Sequence, residues 1–486
     1  MTNTQSSSNG KRPQSSDVRS SARWNALSLG GRQGLRAITS LIIAGVVGQD
    51  AYGIIGLATL YVGFAFLFVQ FGFGTALVQR ADLRPGHIGA ATRLSIGAGL
   101  SFAAITIVAA PFVADFFDTE ELTAVLRVLS AMVLIKATAT VPSSLLMREM
   151  NFGPLARAEL AAAVLGSTAG LIAVFVLESY WAIVWQLLVT ESVLLALVVL
   201  ASPRYRWRTS RDEVTDLTSF GIKLLGTNIV NFASGNGDNA IVGRFEGTEA
   251  LGDYTLSYRV LSLPLQIVGQ SAARTILPTF ARLQDKPKEL ADIYYRSQRA
   301  ISAVVVGPLI LIAMAAPDLI RLVLNDDWLS ATGAMRWIAI SAIFQLGFGN
   351  AGTALVALNR PGWQFWWSTG TTVAALVGFL VGVQWGIEGV AASRTVIGIP
   401  AVLVGVAIVG RLIPVSPWRS VALLAPIGLA GVAAAMVYAA AMPLTADATT
   451  LVRIAVRGGL AGLAYVALIW LIKPVRTDLF RLFLGR

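Results

Sequence analysis

The chain has no cysteine and a single histidine, His87, in 486 residues. The first absence excludes disulfides, thiolate nucleophiles and Cys-ligated metal sites. The second leaves no histidine cluster: His87 sits in a short polar stretch with no partners at ligand spacing and reads as a solvated loop residue, so no metal is expected. Charge is scarce too, at 13% of residues against 55% hydrophobic, with a mean hydropathy of +0.68. A soluble domain carries about 25% charged residues, so this composition indicates a membrane protein. The alternating ten-residue segments of a transmembrane barrel are also missing, and the apolar runs are roughly 20 residues or longer, enough for a helix to cross a ~30 Å hydrocarbon core.

The spacing of these runs predicts an all-α polytopic membrane protein with about fourteen spans: 24–47, 52–79, 88–114, 122–147, 154–177, 180–202, 217–243, 250–279, 293–316, 330–357, 363–384, 388–410, 419–441 and 451–472. Residues 1–21, rich in Ser, Asn and Gln, lack the apolar core of a signal peptide and read as a disordered cytoplasmic tail. The connections alternate in charge. One set holds Arg80 and Arg84, Arg148 and Arg157, Arg204 to Arg211, Arg282 to Arg296, Arg360, Arg411 and Arg419, and Lys473 to Arg486. The other holds Asp50, Asp115 to Glu121, Glu178, Glu246 and Glu249, Asp318 to Asp327, and Asp447. The positive-inside bias makes the basic side cytoplasmic and places both termini there, in the cytoplasmic (inner) cell membrane. Arg453 and Arg457, at the start of the last span, run against this trend. The net charge of +11 is thus explained by topology and does not call for nucleic acid. The basic and aromatic run "RYRWRTSR" (Arg204 to Arg211) abuts the membrane, where anionic lipid headgroups are its natural partner.

The chain repeats itself. "GQDAYG" (Gly48 to Gly53) corresponds to "GTEALG" (Gly247 to Gly252), and the same offset sets Ile42 and Ile43 on Ile241 and Val242, and Leu57 on Leu256. A second pair begins at Phe116 and Val323. The simplest reading is two parallel six-helix repeats around a central cavity, followed by two C-terminal helices. Its boundaries are an N-terminal bundle over 22–203, a linker over 204–216, a C-terminal bundle over 217–412, and the additional helices and short tail over 413–486. Parallel repeats of this kind are a transporter architecture with the substrate path between the halves.

Polar residues inside the spans mark that path. Asn228, Asn231, Gly235 and Asp238 follow steps of 3, 4 and 3 and so share one helix face. The repeat offset lays Arg32 on Asn231 and Arg36 on Gly235, so the first span carries a matching stripe. Arg36 is about twelve residues into its span, roughly 18 Å deep, where a guanidinium costs at least about 2.5–3.5 kcal/mol unless it meets water, a counter-charge or an anionic ligand. Lys136, about midway along its span, and Arg274, Arg394 and Asp238 are further ionisable groups within spans, Arg274 near the cytoplasmic end, and Gln266, Gln270 and Arg274 form a second polar stripe. The positive excess points to an anionic substrate, with phosphate the best-matched oxyanion because Arg binds it bidentately. The competing readings are structural: Arg32 and Arg36 paired with carboxylates of neighbouring helices, Arg274 snorkelling to the interface, and Asp238 paired with an arginine such as Arg244 rather than acting as a proton or sodium coupling site.

Four segments then carry a family resemblance: "GDNAIVGRFEGTEALGDYTLSYR" (Gly237 to Arg259), "ARTILPTFARLQD" (Ala273 to Asp285), and, in the first half, "GQDAYGIIGLATL" and "FGFGTALVQ". From Ala22 onward the chain resembles the polysaccharide-transporter, or oligosaccharide flippase, family of the multidrug/oligosaccharidyl-lipid/polysaccharide exporter superfamily. The resemblance implies a transporter rather than an enzyme, with no cofactor beyond a coupling proton or sodium ion. Its cargo would be polyprenyl-diphosphate-linked oligosaccharide repeat units, exported by alternating access for surface polysaccharide biosynthesis. The alternative is a flippase of the lipid-linked peptidoglycan precursor or another exporter of the same superfamily. The partners implied are that lipid-linked glycan, membrane lipids and polysaccharide polymerase or assembly proteins. On this reading Arg32, Arg36, Lys136, Asn228, Asn231, Gln266, Gln270 and Arg274 line the cavity and Asp238 is the coupling candidate, assignments that rest on depth and stripe geometry alone.

Overall fold

The computed structural model describes residues 15–70, 73–79, 83–150, 152–202 and 211–484. Among them there is no strand. The first half comprises α1 (Ser15–Val47), α2 (Gln49–Gln70), α3 (Phe73–Gln79), α4 (Pro85–Phe117), α5 (Glu121–Arg148), α6 (Phe152–Leu177) and α7 (Trp181–Ala201). The second comprises α8 (Arg211–Phe245), α9 (Gly247–Arg282), α10 (Pro287–Val323), α11 (Ala331–Phe348), α12 (Asn350–Ala357), α13 (Pro361–Gly382) and α14 (Gly386–Val409). Then come α15 (Pro417–Ala440), α16 (Thr450–Leu471) and the short α17 (Lys473–Leu484).

Ten stretches are long and apolar enough to cross a membrane, and one of them, Pro361–Val409, contains two helices, α13 and α14. The helices α1, α8 and α9 fall outside that set. Part of each of these three helices has side chains outside the described residues. Taken with them, and with α3 and α12 as continuations of α2 and α11, the chain is consistent with fourteen passes.

Several expected boundaries move. Helix α1 begins at Ser15, so its first turns occupy residues assigned to the tail, while 1–14 lie outside the described residues. Helix α8 begins at Arg211, inside the expected linker. His87 is a correction: it is not a solvated loop residue but lies buried in the first turn of α4, where its Nδ1 accepts the Arg84 N–H at 3.1 Å and supplies an acceptor to a helix-start donor.

The repeated motif has a structural purpose. Gly48 and Gly247 take φ of 83° and 85°, the left-handed region open to glycine, and let α1 turn into α2 and α8 into α9 almost without a loop. Five residues on, a Cβ at Gly53 would overlap the Thr248 carbonyl, and one at Gly252 would overlap the Gln49 carbonyl. Positions 49 and 248 are themselves repeat equivalents. The starts of α2 and α9 therefore clamp together with local two-fold symmetry at the face bearing the acidic connections. Side chains reinforce the contact: Gln49 Nε2 donates to Asp253 Oδ1 at 2.7 Å, Ser330 Oγ donates to Asp253 Oδ2 at 2.5 Å, and Thr248 Oγ1 donates to Asp50.

The two additional helices dock on α10. Tyr465 of α16 donates to the Ala303 carbonyl at 2.9 Å, and Arg457 of α16 reaches Asp318 of α10 at 3.1 Å and Thr445 Oγ1 at 2.6 Å, all buried. Arg453 donates to the carbonyls of Ala446 and Ala448 at 2.6 and 2.9 Å. The two arginines that break the charge trend are thus consumed by structural partners. At the opposite face Arg299 of α10 pairs with Asp478 of α17 at 2.7 Å.

Candidate substrate cavity

The α1 stripe divides into a spent and an unspent charge. Arg32 pairs with Glu159 of α6 at 2.5 Å. One turn deeper, Arg36 has no ion-pair or hydrogen-bond partner among the described residues, although Glu191, Arg32, Glu159 and Arg259 are close enough to act on it electrostatically. Ser40, a further turn along, shares a 2.8 Å hydrogen bond with Tyr52 of α2. Arg36 lines a cavity of about 160 Å³ closed by α1, α2, α7 and α9, and Arg259, from the other half of the chain, lines it too. That volume is below the roughly 300–1,000 Å³ of sites for drug-sized ligands. It suits an anionic group rather than a whole oligosaccharide.

A second cavity of about 400 Å³ opens between α3, α5 and α7 and is lined by the hydroxyls of Thr75, Thr140, Ser143 and Ser144 together with Lys136. Lys136 Nζ lies 3.4 Å from Glu191 Oε1 and 4.2 Å from the centre of the Phe66 ring. Glu191, halfway along α7, lines both cavities. Three of the positions read from the sequence thus gather in the first half, with Arg36 and Lys136 on the cavities and Arg32 held beside them.

The second half handles its polar residues differently. Asp238 is 0% exposed. Its Oδ2 accepts from Arg394 Nη1 at 2.8 Å, Tyr258 Oη at 2.6 Å and Tyr254 Oη at 3.1 Å, while Oδ1 accepts the Asn239 N–H at 3.0 Å. The arginine that meets Asp238 is Arg394 of α14; Arg244 lies over the Phe116 ring instead. Ser234 and Arg394 line a separate cavity of about 250 Å³ with Gln345, Trp367 and Thr371. Asn228 is half-buried and Asn231 exposed, and neither lines a described cavity. None of the described cavities joins α1 to α8, so the two equivalent stripes are not seen facing each other. Gln266, Gln270 and Arg274 lie on α9, with side chains outside the described residues.

Sequence reasoning passed over Glu159, Glu191 and Arg259, although each is an ionisable residue within a span, the signal that selected Lys136 and Arg36. The largest described cavity, about 770 Å³, is elsewhere, on an apolar flank of α13 and α14 lined by Val377, Val381, Trp385 and Val396, where no cluster of opposed charges collects. Among the described residues no group of three or more His, Asp or Glu could hold a metal ion.

Residues 42–333, more than half of the chain, match the family model described as "Polysaccharide biosynthesis protein". The chain belongs to this family. Among relatives, it is 27% identical over 328 residues to the teichuronic acid biosynthesis protein TuaB of Bacillus subtilis (strain 168), covering 66% of this chain and 68% of that one. It is 25% identical over 358 residues to the succinoglycan biosynthesis transport protein ExoT of Rhizobium meliloti (strain 1021), covering 72% and 71%. With the lipopolysaccharide biosynthesis protein WzxC of Escherichia coli (strain K12) it shares 20% identity over 372 residues, 75% of each chain. In fold it is similar to the lipid II flippase MurJ in an inward closed conformation, with a TM-score of 0.74 at 12% identity over 92% of this chain and 99% of that one. It is also similar to an inward-facing multidrug resistance MATE transporter, with a TM-score of 0.61 at 17% identity over 80% and 95%. The family match contains the α2–α9 clamp, Lys136, Glu191, Asp238 and Arg259, whereas Arg32 and Arg36 precede it and Arg394 follows it.

Proposed function

We propose that the chain is a flippase that carries a polyprenyl-diphosphate-linked oligosaccharide across the cytoplasmic membrane for surface polysaccharide biosynthesis, and that it is a transporter and not an enzyme. The observation that carries this reading is Arg36: a guanidinium in the membrane interior with no ion pair or hydrogen bond among the described residues, on a cavity shared with Arg259 of the opposite half. Such a charge is costly unless the ligand completes it, and a diphosphate supplies the matching bidentate oxyanions. Lys136, in the adjoining hydroxyl-rich cavity, adds a third cation and a route for sugar hydroxyls. The names of the relatives, drawn from teichuronic acid, succinoglycan and lipopolysaccharide biosynthesis, support an acidic or complex glycan as cargo.

In this reading the basic face is cytoplasmic, both termini lie there, and the α2–α9 clamp seals the outer side. Transport then requires the clamp to part while the halves close on the other side, a rocking of parallel repeats about the central site. The polyprenyl tail stays in lipid and the diphosphate crosses with the cavity. Arg36→Glu tests the assignment: in cells dependent on this chain, export of the surface glycan is expected to stop while the protein still accumulates in the membrane. Intact export would sink the pocket assignment. The likeness to a lipid II flippase is one of fold alone, and deletion separates the cargoes, since loss of viability indicates the peptidoglycan precursor and loss of a surface polymer with survival indicates polysaccharide.

A further inference from the structure

Among the described residues Glu191 is the one that lines both described cavities of the first half. It is 7% exposed, one carboxylate oxygen faces Lys136 at 3.4 Å, and the other is buried with no hydrogen-bond partner among the described residues. A buried carboxylate normally accepts several donors, as Asp238 does with four, because a lone-pair site left empty in the interior forfeits its solvation. Glu191 is therefore incompletely satisfied as an anion. The charged groups that face it are Lys136 from α5 and, across the shared cavity, Arg36 from α1 and Arg259 from α9; Arg32 of α1 and Glu159 of α6, paired with each other, act on Arg36, and Tyr52 of α2 lines the same space.

We propose that Glu191 is a proton-binding site linked to the diphosphate: the carboxylate neutralises Lys136 and Arg36 when the cavity is empty, and takes up a proton when the anion arrives. This rests on the diphosphate reading given above. Two anions cannot share the same cations at low dielectric without strong repulsion, and of the two only the carboxylate can become neutral without losing the charge that the arginines recognise. Protonation adds H⁺ to the carboxylate, breaks no other bond, and frees Lys136, whose long contact with Glu191 and position over Phe66 leave it able to turn toward the ligand. Capture from one side thus also draws a proton from that side. Asp238 is unsuited to this part, since all its donors are protein groups and its charge is already matched by Arg394.

The sign follows directly. Neutral Glu191 favours the anion, so affinity rises as pH falls, by up to about tenfold per pH unit for one linked proton. The test uses the full-length protein in lipid nanodiscs with farnesyl diphosphate as probe, comparing wild type with Glu191→Gln between pH 8 and pH 6. The amide mimics the protonated acid. The variant is expected to bind at pH 8 as tightly as wild type does at pH 6, keeping only the pH dependence that belongs to the probe. Equal pH dependence in both proteins overturns the proposal, and so does a folded variant that no longer binds, which would make Glu191 a positioning residue for Lys136. If the variant does not fold, calorimetry of the wild type in two buffers of different ionisation enthalpy decides the matter. A diphosphate placed among cations sheds protons, so net uptake of about one proton must come from the protein, and zero uptake or release overturns the proposal. Absence of probe binding to wild type at every pH removes the diphosphate reading itself, and the linkage with it.

Discussion

Among the described residues of the first half, Arg36 makes no ion pair or hydrogen bond and Glu191 holds a carboxylate oxygen with no donor, whereas in the second half Asp238 and Arg394 satisfy one another with two tyrosines and a backbone amide. Both sets of charges stand deep in their helices, so burial alone does not distinguish them. Saturation does. A saturated buried pair holds α8, α9 and α14 in one arrangement, and its removal costs stability. An unsaturated set stores affinity for something that comes and goes. On the function proposed above, binding belongs to the first half and its seam with α9, and the Asp238 network has a bracing task within the second half.

The largest expected effect comes from breaking the saturated side. Arg394→Ala leaves Asp238 charged and buried without its counter-ion, which is expected to destabilise the fold by about 3–5 kcal/mol. Thermal unfolding of the purified protein should register the loss, and the double change Asp238→Asn with Arg394→Gln should recover most of it. If Arg394→Ala unfolds like wild type while export fails, the bracing task is wrong and the pair belongs to the transport cycle.

Next in size is a complete but reversible block. The chain has no native cysteine, so cysteines at Asp50 and Thr248, whose side chains are hydrogen-bonded across the clamp, would be the only thiols present. Bridging them with a short cleavable thiol reagent should abolish export, and reduction should restore it. Persistence of export in the bridged protein would mean that α2 and α9 need not part. A smaller and purely functional loss is expected for Arg36→Ala: removing a charged hydrogen-bonding partner weakens diphosphate binding by about 1.5–3 kcal/mol, roughly 10- to 150-fold. Its unfolding temperature should stay close to wild type, because Arg36 holds no ion pair or hydrogen bond among the described residues and Glu191 keeps Lys136, and this sets it against Arg394→Ala.

Much of this was legible in the sequence and some was not, for definable reasons. Hydrophobic runs and alternating connection charge are local signals, and they yield a many-pass helical fold consistent with fourteen passes. The "GQDAYG" and "GTEALG" repeat was readable as homology, but its role as a symmetric clamp depends on which carbonyl meets which glycine, a contact between residues 195 apart in sequence at Gly53 and Thr248. The partner of Asp238 was sought one or two turns away at Arg244, when it lies on α14 at Arg394; ion pairs across a helical bundle are set by helix neighbours, which spacing along one helix does not encode. Equivalence under the repeat likewise relates α1 to α8 without making them neighbours. Instead α1 packs on α6 and α9, which brings Glu159 to Arg32 and Arg259 to the Arg36 cavity.

The smallest expected effect tests whether position in the stripe or saturation decides function. Arg32 and Arg36 are one turn apart on the same face of α1, yet Arg32 is paired with Glu159, and both side chains of that pair keep about a fifth of their surface exposed, 19% and 23%. A partly exposed pair contributes about 0.2–1 kcal/mol. Arg32→Ala should therefore lower the unfolding temperature by only a few degrees at most, and Glu159→Ala by a similar amount. Because Glu159 also acts on Arg36 electrostatically, Arg32→Ala leaves Glu159 free to compete for Arg36 and should weaken diphosphate binding modestly, while Glu159→Ala should strengthen it. Opposite signs for two halves of one ion pair are the outcome expected if Arg36 is the charge that matters. Equal losses from both variants would instead make the pair a structural strut, and the difference between the two arginines one of degree.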